Sequence, residues 1–325
     1  MNSLLRNAVC GAVLAVLPLA AHAQAAYPTK PIRLIVPFAP GGPNDILGRL
    51  VAQKLNEQWG RPVVVENRGG AGGTVGLGYA AKQPGDGYTL SMGGSSNLAV
   101  AVSLYQKLAY DPLKDFVAIA SVAHVPYALG VNPVVPVRSV KELIAIARKK
   151  PKYLSYASSG TGSMSALSAE LFKAMSRTDI IHVPYKGTVP ALTEVVSGQV
   201  DMMFADLALI KRHAQAQQLK IIAVTGSKRA PAAPEVPTIS ETGLKGYVIE
   251  PWFGVVAPAG VPAEIVSRLS AAIVASLKSP DVVQRLDNLG YEPIGAGAEQ
   301  FAEIIRNDIS KFAKIVKTAG IAAQL

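Results

Sequence analysis

Ile32-Arg33-Leu34-Ile35-Val36-Pro37-Phe38-Ala39-Pro40-Gly41-Gly42-Pro43-Asn44-Asp45 holds an apolar run, a glycine- and proline-rich loop and the start of a helix in one stretch. Ile32 to Val36 reads as a buried strand, and Ile46, Leu47, Leu50, Val51 and Leu55 recur on one helical face. Asn44 or Asp45 can cap that helix. Strand, loop and helix in this order form the repeating unit of an open α/β sheet, which binds ligands beyond the carboxyl ends of its strands. About 120 residues further on the unit recurs: a strand over Tyr153 to Ala157, the loop Ser158-Ser159-Gly160-Thr161-Gly162-Ser163, and a helix from Met164 to Met175. Such loops offer unpaired backbone N–H groups and small hydroxyls at a helix's positive end, which suits the oxygens of a carboxylate or phosphate. Two of them predict two lobes gripping one small anion.

The same grammar runs along the chain. Pro62 to Glu66 and Tyr88 to Met92 read as further strands of the first lobe, the latter followed by Gly93-Gly94-Ser95-Ser96-Asn97. In the second lobe, Val125 to Val131, Ile180 to Val183, Met202 to Phe204 and Leu219 to Val224 read as strands, with a helix over Val140 to Lys150. Trp252 to Pro258 reads as a strand returning to the first lobe, because three helical patterns and no new sheet follow it. Crossings near Val122 to Tyr127 and near Tyr247 to Trp252 would make a hinge. The expected division is a leader over 1–23, lobe 1 over 24–124 with 251–325, and lobe 2 over 125–250.

Arg6, the apolar stretch Ala8 to Ala20 and the small-x-small site Ala21-His22-Ala23 read as a cleaved secretory leader, hence export to the periplasm. The apolar run is shorter than the roughly 20 residues of a spanning helix. Cys10, the sole cysteine, lies inside that leader, so the mature chain is expected to lack disulfides and thiol chemistry. About 300 residues remain, more than one hydrophobic core usually serves. They carry 31 basic against 22 acidic residues, the basic ones scattered with no aromatic ladder, which argues for weak steering of anions and against nucleic acid.

Little in the chain supports catalysis. His124, His182 and His213 form no i, i+4 pair, so neither a metal nor another cofactor is expected. No Gly-x-Ser-x-Gly elbow or Walker-type phosphate loop occurs, and Gly160-x-Gly162-x-x-Ser165 lacks the third glycine of a dinucleotide fingerprint. His182 reads as a hydrogen-bonded sheet histidine. Asp45 reads as a first-turn acid favoured by the helix dipole. Asp206 is either a helix cap or a ligand contact. Phe38 and Trp252 are either core residues or pocket walls, and Tyr185 and Lys186 are either ligand contacts or ordinary loop residues.

Tyr27 to Phe38 with its Pro-Gly-Gly loop, Val64-Val65-Glu66-Asn67-Arg68, Gly85-Asp86-Gly87-Tyr88-Thr89-Leu90, Tyr110-Asp111-Pro112, Leu154 to Ser158, His182-Val183-Pro184-Tyr185-Lys186-Gly187, Leu219 to Thr225 and Trp252-Phe253-Gly254 together resemble the Bug proteins. These are the extracytoplasmic substrate-binding receptors of tripartite tricarboxylate transporters. The resemblance runs from Tyr27 to about Ile321. It implies a two-lobed α/β periplasmic binding protein of the type II, Venus-flytrap kind, acting as a monomer. Such a receptor would close on a small organic carboxylate and deliver it to membrane permease subunits. A carboxylate sensor presenting its ligand to a signalling partner is the alternative. By the resemblance, Phe38, Ala39, Gly41 and Gly42 hold the carboxylate through backbone amides and bridging waters. Ser158, Gly160, Thr161 and Ser163 supply the second lobe's side, their hydroxyls being the expected side-chain anchor. Asn44, Ser95, Ser96, Asn97, Tyr185, Lys186 and Asp206 complete the candidate site. Two departures matter: Pro43-Asn44 stands where the family often has Ser-Thr, and Ala205-Asp206 where it often has Asp-Asn. Both count against an amine-bearing ligand, whose ammonium needs a fixed carboxylate in a desolvated cleft.

Overall fold

The computed structural model describes residues 27–318 and 320–321, so the expected leader and Cys10 lie outside the described residues. The strands are β1 (Ile32–Val36), β2 (Val63–Asn67), β3 (Thr89–Gly94), β4 (Phe116–His124), β5 (Tyr127–Val131), β6 (Ser155–Ser158), β7 (Ile181–Pro184), β8 (Met202–Asp206), β9 (Lys220–Val224), β10 (Trp252–Pro258) and β11 (Glu292–Pro293). The helices are α1 (Pro43–Trp59), α2 (Thr74–Ala80), α3 (Ala101–Leu104), α4 (Val140–Lys149), α5 (Met164–Ser176), α6 (Thr188–Val196), α7 (Leu207–Gln215), α8 (Ala263–Ser276), α9 (Pro280–Leu289) and α10 (Ala298–Thr318).

Two mixed sheets organise them. The first runs β11-β4-β10-β3-β1-β2 and the second β7-β6-β8-β5-β9. In the first, β1 is parallel to β2 and β3, while β10 is antiparallel to β3 and β4. In the second, β6 is parallel to β7 and β8, while β5 is antiparallel to β8 and β9. Ile32, Leu34, Ile35 and Val36 are fully buried, as a strand covered by helices on both faces should be. Arg33 breaks the run and is satisfied by Tyr79, Gln83 and Thr89. Gly48 lets α1 lie close to the sheet, because a Cβ there would come 2.8 Å from Val36 Cγ2.

The chain leaves the first sheet at His124 and enters the second at Tyr127, then returns at Trp252. The two crossings run side by side, with the Val125 N–H donating to Pro251 O at 2.9 Å. The Thr225 hydroxyl ties the second crossing to sheet two by donating to Ile249 O at 2.7 Å.

Three features depart from the reading of the sequence. β4, α6 and α7 were not anticipated. After β10 come the three expected helices, but β11 also adds a two-residue strand paired with His124 and Ala123. Neither Asn44 nor Asp45 caps α1; Gly42 does, because Pro43 takes the first helical position, where its missing N–H costs nothing.

Candidate ligand-binding site

The carboxyl ends of β1, β3, β6 and β7 point into the gap between the sheets, and the loops leaving them border a narrow cavity with about 20 Å³ of space open to a water molecule. Its lining comes from both sheets. Phe38, Ala39, Gly42, Pro43 and Asn44 follow β1, and Ser95 and Ser96 follow β3; across the gap stand Ser159, Met164 and Thr188, with Tyr127 and Phe253 beside the crossings. None of these side chains is ionised at neutral pH. Charge on a ligand must therefore be met by backbone dipoles.

Helix starts supply them. Gly42 opens α1 and Gly187 opens α6, and neither has a side chain to bond the first-turn amides. The N-terminal N–H groups of an uncapped helix remain available to an anion, and the helix dipole adds to their pull. α5 differs, because Ser163 accepts from Ala166 N and closes that helix itself.

A carboxylate holds the first loop in shape without joining the cavity. Asp45 accepts from Gly41 N–H at 3.0 Å, Arg49 Nε at 3.0 Å and Asn67 Nδ2 at 2.9 Å, and Asn67 also donates to Phe38 O. Burial alone would raise the Asp45 pKa, but the bonds from Arg49, Asn67 and Gly41 together hold it below the usual carboxylate value. It therefore stays ionised and pins the loop from Phe38 to Gly41.

The second loop is arranged differently from expectation. Ser158 is fully buried, with its hydroxyl 2.6 Å from His182 Nε2 and accepting from Gly160 N–H. His182 stacks on Tyr156 at 4.6 Å, and desolvation lowers its pKa, which keeps it neutral in the sheet. Ser163 is the α5 cap and bonds Ser165. Thr161 lies by Tyr105 and His182, away from the cleft cavity. Ser159, the next residue along from Ser158, is the residue of this loop that lines the cavity, its hydroxyl 3.1 Å from Ser165 Oγ.

The remaining candidates divide between the seam and the interior. Gly41, Gly160, Tyr185 and Lys186 sit where the lobes meet: a Cβ on Gly41 would touch Val189 at 3.0 Å, one on Gly160 would meet Gly72 N at 2.8 Å and Tyr185 O at 3.3 Å, and Lys186 O lies 3.2 Å from a Cβ on Gly69. The Tyr105 hydroxyl bridges the same seam, 2.6 Å from Thr161 O and 2.8 Å from Ala71 O. Asn97 turns its Oδ1 back to Gly94 N–H. Asp206 caps α7 through Ala208 N–H and accepts from the Tyr291 hydroxyl, so its carboxylate faces away from the cavity. Trp252 packs edge-on against Phe301 and donates to Asp308, which makes it core, whereas its neighbour Phe253 walls the cavity. Ser159, Thr188, Tyr127, Met164 and Phe253 were not anticipated. For Thr188 a sequence sign existed: Pro190, two residues on, fits the first turn of a helix.

A larger cavity, about 390 Å³, opens behind the hinge between His124 and Glu250. Its charged groups are of both signs, including Lys228, Arg229, Glu250 and Glu292, so it lacks the uniform character of the cleft. Among the described residues, no group of three His, Cys, Asp or Glu is placed to hold a metal, and no helix is long and apolar enough to cross a membrane.

Two mixed α/β sheets joined by paired crossings around an anion-seeking cleft define a two-lobed solute-binding protein. The family follows from comparison: the model for the tripartite tricarboxylate transporter family receptor, TctC, matches residues 47–321, and the chain belongs to that family. It is a family of periplasmic substrate-binding receptors, not of enzymes. The chain is 36% identical over 322 residues to Protein BugT of Bordetella pertussis, covering 98% of this chain and 99% of that one. The solved structure of R. palustris Rpa4515 with adipate matches with a TM-score of 0.88 at 39% identity, over 91% of this chain and 99% of that one. MatC from Rhodopseudomonas palustris with bound malate matches with a TM-score of 0.86 at 34% identity, over 89% and 100%. The fold is thus the periplasmic binding protein fold that the sequence predicts.

Proposed function

We propose that this chain captures a small organic carboxylate in the cleft and delivers it to the membrane permease of a tripartite tricarboxylate-type transporter. The leader expected over residues 1–23 is its route to the periplasm, and it works as a monomer. One observation carries the reading. The uncapped starts of α1 and α6, from opposite lobes, flank a single cavity whose side chains are all uncharged. The adipate and malate in the two related structures support the ligand class. Because both lobes contribute, the closed arrangement is favoured by the affinity the acid gains over the open one.

The proposed contacts are the backbone of Phe38, Ala39 and Gly42, the Ser95, Ser96, Ser159 and Thr188 hydroxyls, and the Asn44 amide, with Gly41, Gly160, Tyr185 and Lys186 closing the seam around them. A thermal-shift panel of mono-, di- and tricarboxylates on purified protein tests this. An acid present at about 100 times its dissociation constant is expected to stabilise the fold by roughly 2.7 kcal/mol. A flat response across the panel would remove the carboxylate reading.

A further inference from the structure

Asn44 is 6% exposed, lines the cavity, and has a buried Oδ1 without a hydrogen-bond partner. A buried amide left unpaired is costly, so this one awaits a group that satisfies it. An amide carries both an acceptor and two donors. The unpartnered atom is the acceptor oxygen, so its complement is a donor, and a hydroxyl supplies one without bringing a charge into the cavity.

The surroundings narrow the choice further. An ammonium would need a carboxylate in the wall, and neither nearby acid supplies one: Asp45 is taken up by Arg49, Asn67 and Gly41, and Asp206 by Tyr291 and Ala208. A second carboxylate directly at Asn44 has no proton to donate to its oxygen. Phe38, Met164 and Phe253 offer apolar surface to a carbon skeleton.

We propose that Asn44 is a specificity-determining residue of the cleft and selects carboxylates that bear a hydroxyl, the ligand O–H meeting the Asn44 amide while its carboxylate lies at the helix starts. The proposal rests on the carboxylate reading of this site. It separates hydroxy acids from their deoxy and amino counterparts of equal length.

Calorimetric titration with matched acids tests it: succinate, 2-hydroxysuccinate and 2-aminosuccinate, and adipate against 3-hydroxyadipate. For the skeleton that binds, the wild-type protein is expected to take the hydroxy acid about tenfold more tightly than the plain acid and to bind the amino acid least. In Asn44→Leu, and in Asn44→Ala should the leucine variant fail to fold, the hydroxyl preference is expected to fall within about twofold. Plain and hydroxy acids binding the wild type equally well would overturn the role of Asn44 while leaving the receptor reading in place. A preference that survives in the variants would do the same. If no acid of either kind binds, the receptor reading fails, and this proposal with it.

Discussion

Gly72→Ala is expected to weaken capture of the acid by about a hundredfold while both lobes stay folded. Gly72 has φ +64, and a Cβ there would lie 2.7 Å from Thr161 O, 2.8 Å from Ser163 N and 2.9 Å from Gly162 C. All three are backbone atoms of the facing lobe. They cannot yield as a flexible side chain would, so the methyl group separates the lobes. A ligand that gains affinity only when both lobes reach it loses what closure adds, and a hundredfold corresponds to about 2.7 kcal/mol. Gly260→Ala is the control. It has φ +93 with nothing within 4 Å of the added Cβ, so it carries comparable backbone strain without the wedge. Calorimetry with the best-binding acid and small-angle scattering should show the Gly72 variant weak and extended, and the Gly260 variant close to wild type. Equal affinity in all three would mean that this seam does not close around the ligand.

Asp206→Asn is expected to change how stability varies with pH. Burial pushes the Asp206 carboxyl up to about 7, against partial relief from Tyr291 and the Ala208 and Leu209 N–H groups. The sign follows from the proton. Between about 4 and 7 the native state keeps a proton that the unfolded chain has lost, so this residue's contribution is full at low pH and disappears as pH rises through 7. A shift of about three units bounds the effect near 4 kcal/mol. Asparagine keeps the cap oxygen without the charge and turns its N–H2 to the Tyr291 oxygen, which then accepts in place of donating. Urea midpoints at pH 4.5 and pH 8 should show the variant gaining on wild type at the higher pH. Identical slopes would show that the carboxylate is not desolvated.

Much of the architecture was legible from local pattern. β10 was read to the residue, because Trp252 to Pro258 is a buried apolar run ended by proline, and β1 was legible because four of its five residues have no exposed face. β4 was missed for a physical reason. Phe116 to His124 is rich in alanine and buried on both faces, so neither alternation nor bulk marks it, and only its last residues stood out as a crossing. In the site, the loops that would face the cleft were evident from their glycines and hydroxyls, but the direction of each hydroxyl was not. Ser158 and Ser159 are adjacent, and the phase in which β6 ends turns the first to His182 and sets the second against Ser165 at the cavity wall. Asp206 was placed beside the pocket by its strand-exit position, yet Tyr291, 85 residues away in sequence, determines where its carboxylate points. Such pairings come from the sheets' assembly and leave no mark in spacing.

The central claim is that helix starts from opposite lobes hold one anion. Hydrogen exchange of the backbone amides, with and without a saturating acid from the panel, tests this most directly. The account predicts that the amides of Gly42, Asn44 and Asp45 and of Gly187, Thr188 and Val189 gain protection together, along with the seam residues Gly72 and Gly160. Protection confined to one lobe, or centred instead on the hinge cavity around His124 and Lys228, would contradict it.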